Sequence, residues 1–285
     1  MATVNPGYMG WAIFDGTQFR FTDCNVAAKQ EINAPDLITG HWNRQAYNYG
    51  PIDISGTISG PVGTLFGTAG TGMWAKATDR TDCGELTEGT LNIHYFCSTT
   101  EGYNTFEFGA AKVNSITFSC SAGDVAQFSM DMIGAESATT SASDGKWDDS
   151  PEKLITWDQV GLSVTPGSAG GNSFGDEYFS NFEVTFANNV EVVYALGQSN
   201  LYPFALVDGI TTITGSVSAF NIPSMFGVNT WADYEADETG TVEFNVGPDI
   251  SVNLNVQWHR VEPTSAVGPI ISTVAFTGVT TQPVV

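Results

Sequence analysis

Basic residues are scarce in this chain of 285 residues: nine Lys and Arg stand against 31 Asp and Glu, a net charge of −22. The imbalance is not confined to a tail, since residues 1–150 carry a net −10 and residues 151–285 a net −12. Gripping a nucleic-acid backbone takes clustered cations that displace counterions, and this composition excludes it. Two readings of the acidity remain: plain solubility, or a surface that faces a polyanion without holding it. Cysteine is rare too. Cys24, Cys83, Cys97 and Cys120 form no C-x-x-C pair, so a zinc site is not expected. The opening MATVNPGYMG has no basic stretch followed by an apolar one, so no signal peptide is expected, and reduced thiols are the default. No apolar run approaches the ~20 residues of a membrane helix.

Catalytic patterns are also missing. His41, His94 and His259 are isolated, and neither H-E-x-x-H nor G-x-S-x-G occurs. GTAGTG (67–72) lacks the Lys of a phosphate loop, and DGKWDD (144–149) lacks the spacing of a calcium loop. Asp176–Glu177 and Asp237–Glu238 fall in turn-like stretches. The expectation is a protein that is not an enzyme, with no metal and no cofactor.

What is present is a β pattern. Hydrophobic residues make up 42% and charged residues only 14%, with 31 glycines and many Thr, Ser, Val and Ile. That composition builds a core and many turns, a mainly β chain. In VNSITFSCSAGDVAQFSMDM (113–132) Ile116, Phe118, Cys120, Phe128, Met130 and Met132 alternate with Ser115, Thr117, Ser119, Gln127, Ser129 and Asp131. Period-2 alternation on both sides of a turn predicts a hairpin with one apolar and one polar face. Cys120 falls on the apolar face and reads as a buried thiol. SPEKLITWDQ (150–159) has the signature of a short helix, and a second is expected near residues 224–236.

The chain repeats itself weakly. DISGTIS (53–59) matches TITGSVS (212–218), LFG (65–67) matches MFG (225–227), and MWAKATD (73–79) matches TWADYEAD (230–237). FRFTDCNV (19–26) loosely matches FEVTFANNV (182–190). The hairpin 115–132 aligns without a gap to TVEFNVGPDISVNLNVQW (241–258), so those two segments are expected in equivalent places. The drop in offset between the matches implies an insert at about 76–107 in the first copy, expected as a surface loop or hairpin. The domains are then 1–150, copy one with its insert, and 151–285, a linker and copy two.

PIDISGTISGPV, VNSITFSCSAGDVAQFSMDMIG, FSNFEVTFANNVEVVYALG and VDGITTITGSVSAF together resemble the tail tube proteins of long-tailed bacteriophages. The resemblance implies a mainly β fold of two tandem tail-tube-type β-sandwich or half-barrel units with one short helix each. They would close into a ring barrel on oligomerisation, a homotrimer with pseudo-hexamer symmetry. It implies a structural virion protein of the viral tail, assembled in the host cytoplasm, whose stacked rings conduct double-stranded DNA during genome ejection. The implied partners are other copies of the chain, DNA that passes without specific binding, and tape-measure, tail terminator and baseplate or sheath proteins, with no membrane. The lumen-facing residues would be Asp53, Ser55, Thr57, Ser115, Thr117, Ser119, Gln127, Ser129, Asp131, Thr212, Thr214, Ser216, Glu243, Asn245, Asn253, Asn255 and Gln257. Cys83 and Cys97, 14 residues apart within the insert, are a candidate disulfide once the particle leaves the cell.

A second reading stays open beside it. A β-sandwich adhesin or carbohydrate-binding module would use Trp42, Tyr47, Tyr49 and Trp74 as sugar platforms. A glycoside hydrolase would need an acidic pair in a cleft, which sequence does not reveal.

Overall fold

The first local structure follows from one dipeptide. Asp15 and Gly16 both take positive φ, 45° and 81°, the twist that a two-residue hairpin turn demands. They join β1 (Gly10–Phe14) to β2 (Thr17–Arg20). The computed structural model describes residues 10–33, 48–63, 66, 72–81, 84–98, 102–140, 153–165, 174–175, 179–196, 201–220, 239–248, 250–259, 262–263 and 271–279. Within them the chain is mainly β, as its composition predicts. β3 (Asp23–Cys24) and β4 (Ala27–Asn33) lead to β5 (Asn48–Pro61). The helix α1 (Met73–Thr78) is followed by β6 (Gly89–Ser98), β7 (Gly102–Ser121), β8 (Gln127–Gly134) and β9 (Glu136–Thr140). Then come β10 (Val160–Thr165), β11 (Phe179–Ala187), β12 (Glu191–Val193), β13 (Ala205–Val207) and β14 (Thr212–Phe220). β15 (Thr239–Val246), β16 (Ile250–Trp258), β17 (Glu262–Pro263) and β18 (Ile271–Gly278) complete the order.

All but β12 and β13 belong to one antiparallel sheet of 16 strands. Starting at β1, hydrogen-bonded neighbours run β1–β6–β7–β8–β5–β4. Starting at β10, they run β10–β15–β16–β18–β14–β11. Taken by rank along the chain, both paths read first, fourth, fifth, sixth, third, second. β7 and β11 join the two paths, with Ser115 opposite Ala187 and Ser121 opposite Asn181.

The sheet folds over on itself. Phe182 of β11 meets Phe244 of β15 at 5.8 Å between ring centroids, and Phe19 of β2 meets Phe128 of β8 at 6.0 Å. These strands are several steps apart along the ladder, so their inner faces close on one another across a sandwich. One layer holds β3/β4, β5, β8, the C-terminal half of β7, β11, β14, β18 and β17. The other holds β2, β1, β6 with the N-terminal half of β7, and separately β10, β15 and most of β16. A core that includes Ile54, Ile58, Phe118, Met130, Val184, Phe186, Ile213, Val217 and Leu254 fills the space between. Burying each large apolar side chain contributes roughly 1.5–3 kcal/mol.

Two expectations change, and a third takes one of its two stated forms. Residues 115–132 and 241–258 are both hairpins but not in equivalent places: β8 lies beside β5, whereas β16 reaches β14 only through β18. Gapless apolar alternation aligned them, and alternation is common to every amphipathic hairpin. The stretch read as an insert is the β6–β7 hairpin, and its second strand runs without a break into the strand that meets β8 and β11. The helix read at 150–159 is a single 3-10 turn at Trp157–Gln159, capped reciprocally by Thr156 and Gln159. Ahead of it Leu154 and Thr156 bridge Gly63 and Val125. Buried Ile155 hydrogen-bonds Val62 and Ala126, an extended pairing that leaves no room for the turn to continue upstream. The helix expected near 224–236 lies outside the described residues, as does the Cys83–Cys97 pairing. Cys24 and Cys120 are free thiols.

A polar knot ties the halves where β7 meets β11. Buried Asn188 donates to the carbonyls of Ala77 and Val113 at 2.8 and 2.9 Å and accepts from Thr211 at 2.9 Å. Arg80 reaches Thr211 and the Gly209 carbonyl.

A continuous polar face as the candidate functional site

Directly opposed residues in an antiparallel ladder share a face, so the register assigns every polar side chain to one side or the other. On the outer side of the first layer, Lys29, Ala27 and Asp23 stand opposite Asp53, Ser55 and Ser59. Ser55, Thr57 and Ser59 continue to Ile133, Asp131 and Ser129 of β8, and Asp131, Ser129 and Gln127 continue to Ser115, Thr117 and Ser119. The face then crosses the joint between halves: Thr117, Ser119 and Ser121 stand opposite Thr185, Glu183 and Asn181. These continue to Thr214, Ser216 and Ser218, and on to Thr277, Ala275 and Thr273 of β18. One row thus reads Ser59, Ser129, Thr117, Thr185, Thr214, Thr277.

Hydroxyls from different strands tie this face together. Thr57 and Ser115, from the two strands flanking β8, each donate to Asp131 at 2.8 Å, one to each carboxylate oxygen. Ser55 donates to Asp53 at 2.9 Å. Thr117 and Thr185 share a 2.8 Å bond across the β7–β11 joint, and Ser218 and Thr273 share another at 2.8 Å. His259 binds Thr277 at 2.7 Å where β16 bends into this layer. Hydroxyls that satisfy one another and the carboxylates leave a wall with few donors free to seize an anion.

The seventeen residues expected to act together divide into two sets. Asp53, Ser55, Thr57, Ser115, Thr117, Ser119, Gln127, Ser129, Asp131, Thr212, Thr214 and Ser216 lie on this first face. Glu243, Asn245, Asn253 and Asn255 lie on the β15–β16 ladder of the second layer. Their inward neighbours Phe244 and Leu254 enter the same core as Phe182, so their polar side chains point the opposite way. Gln257 sits at the bend, opposite Thr277. Lys29 also stands on the first face, opposite Asp53. Sequence reasoning missed Glu183, Asn181, Thr185, Thr273 and Thr277. The alternation of Phe182, Val184 and Phe186 with Asn181, Glu183 and Thr185 carried that signal for β11, at the same period as the strands that were assigned.

Among the described residues, no three of His, Cys, Asp and Glu come close enough to hold a metal ion. No helix among them is long and apolar enough to cross a membrane. Burial raises the Cys24 thiol and the Tyr194 phenol, with the first face's Asp23 and Asp53 respectively adding to the shifts. Burial pushes the Cys120 thiol up, with Asp124 adding to it. Burial also raises Tyr95 and lowers His94, whose ring stacks on Trp11 at 5.0 Å.

Comparison with known families gives one result. A family model described as phage tail tube protein matches residues 2–278. No curated protein matches the chain.

Proposed function

The chain belongs to the phage tail tube protein family and is a structural component of the virion tail, and from that premise we propose that three copies close the first layer into a ring whose polar face lines a conduit for double-stranded DNA. The observation that carries the reading is the continuity of that face across both halves, ending in two open strand edges. Among the described residues, β3/β4 pairs in the ladder only with β5, and β17 only with β18. Such edges invite pairing with another chain, and closure removes them. The identical strand order of the two halves supports a duplicated unit, giving the trimer pseudo-sixfold symmetry. In that correspondence β3/β4, β5, β6, β7 and β8 match β11, β14, β15, β16 and β18, so the β6–β7 hairpin is part of the common unit. Eight strands per chain, about 24 in all at ~4.8 Å spacing and ~40° tilt, give a backbone diameter near ~48 Å. Side chains reduce this to roughly 35–40 Å, ample for a duplex.

The wall carries Asp23, Asp53, Asp131 and Glu183 against Lys29, so its net sign repels phosphate. DNA slides along it and is not held. Electron microscopy of the purified protein tests the reading: stacked threefold rings with an open channel are expected. A monomer that persists at high concentration under all conditions overturns it.

A further inference from the structure

The joint between halves has an inner side as well as an edge. Trp74 on α1 stands edge-on to Phe118 of β7 at 5.0 Å, to Phe186 of β11 at 5.1 Å and to Phe244 of β15 at 6.3 Å. Its own half supplies the first of these partners, and the other half supplies the last two. The first half's tryptophan therefore seals β11, the second half's strand at the joint, from within.

The strand that corresponds to β11 is β3/β4, and the ladder fixes how they match. Phe186 stands opposite Ile213, and Ala28 opposite Ile54. Ile54 and Ile213 occupy the same place in DISGTIS and TITGSVS, so Ala28 stands where the second half has Phe186. Nothing in the described chain covers that position. Instead a groove of about 380 Å³ opens beneath the free edge, lined by Val26, Ala28, Ile93, Tyr95, Phe106 and Phe108 among others. Phe106 at its rim is 40% exposed, a large apolar side chain left to water.

We propose that this groove receives the Trp231 indole of a second copy of the chain, as β17 of that copy adds to the β3/β4 edge. The proposal rests on the ring reading above and names the contact that closes it. Three observations select the occupant. TWADYEAD repeats MWAKATD, with Trp231 in the place of Trp74. Trp74 follows Ile54 by about the interval at which Trp231 follows Ile213, so each tryptophan is carried on the connection that leaves the corresponding strand. The groove lies under the strand whose counterpart Trp74 seals, and Ala28 in place of Phe186 supplies room for an indole. Tryptophan buried at the centre of an interface is the commonest energetic anchor.

The experiment uses full-length protein and follows assembly against concentration. Trp231→Ala and Ala28→Trp are each expected to raise the concentration at which rings form by roughly 30-fold, the scale of losing one anchor of ~2 kcal/mol. Ala28 is exposed in the single chain, so Ala28→Trp fills the groove while leaving the monomer's unfolding midpoint unchanged. Rings from Trp231→Ala and Ala28→Trp at the wild-type concentration overturn the proposal and leave the ring standing. Wild-type protein that forms no rings overturns both.

Discussion

Lys112 and Asp208 form a buried ion pair whose removal has a calculable cost. Lys112 leaves β7 at the bend where the strand passes from one layer to the other. Its ammonium lies 3.0 and 3.1 Å from the two carboxylate oxygens of Asp208 and 3.4 Å from the Leu206 carbonyl. The two side chains are 7% and 8% exposed. Asp208 also accepts from the Leu86 amide at 3.0 Å, beside an apolar cluster of Leu86, Ala135, Val190 and Leu206. The pair therefore fastens the excursion between β11 and β14 onto the first half. Asp208→Ala strands a buried ammonium, with only the Leu206 carbonyl and the Glu88 carboxylate at 3.8 Å as partial substitutes. Breaking such a pair costs about 3–5 kcal/mol, with the orphaned Leu86 amide included at the upper end. Lys112→Met/Asp208→Leu removes both charges and keeps the volume. Because desolvation opposes the pair's own attraction, the double variant is expected to be more stable than Asp208→Ala by about 2 kcal/mol or more. Urea unfolding of wild type, Lys112→Met, Asp208→Leu and the double variant gives the coupling directly, provided the slopes agree, and Asp208→Ala is measured beside them. Equal losses in Asp208→Ala and the double variant, or a loss below ~1 kcal/mol in the single, refute the reasoning.

Other predictions follow from the same geometry. Gly215 tolerates no side chain, since a Cβ there lies 2.6 Å from the Glu183 carbonyl oxygen and against the Phe276 ring; Gly215→Ala is expected to lose about 1–3 kcal/mol in urea unfolding. Burial holds His94 below its ordinary 6.5, so the unfolded chain takes that proton first. Its contribution is full above pH ~6.5 and lost as pH falls below it, a slope that His94→Gln should flatten in a pH series of unfolding curves. Glu183→Lys and Glu243→Lys put the same charge on opposite faces. If the first face lines the lumen, only tubes of Glu183→Lys should retain duplex DNA in their channel, with retention falling as salt rises; equal retention by both refutes the assignment.

Alternation made much of this legible. Val113–Met132 predicted β7 and β8 and the face of each residue, because every second side chain had to choose between core and water. The ladder order was not legible, since it depends on which edges meet. β15–β16 alternates as cleanly as β7–β8, yet Phe244 lies across the sandwich from Phe182 and not beside it. Period alone carries no information about layer, so Glu243 and Asp131 looked alike. The knot around Asn188 was hidden for another reason. Nothing in ANNV (187–190) marks a core side chain, and only the fold shows that Asn188 is fully buried and bonded to Ala77, Val113 and Thr211.

Acidity does not decide which face lines a channel, because both faces carry carboxylates. Continuity does. Among the described residues, the second layer consists of two separate pieces, one around β6 and one around β15, joined to each other only through the first layer. The first layer alone runs unbroken through both halves, because β11 takes the edge of β7 with seven paired residues in register. If the two halves are copies, that joint is a chain's own example of how one unit adds to the next. Repeating it between chains needs only the two edges that remain, and the rotation it imposes must close after a whole number of units, since a heterologous joint otherwise grows without end. Because tilted strands close with a stagger, the hydroxyl row from Ser59 to Thr277 would then climb around the ring as a spiral, repeated from chain to chain by the ring's rotation. If that wall lines a channel, rows satisfied by their own hydroxyls and set at intervals with carboxylates would present DNA with a weak potential that repeats from chain to chain. A molecule that must travel its length meets no preferred place to stop.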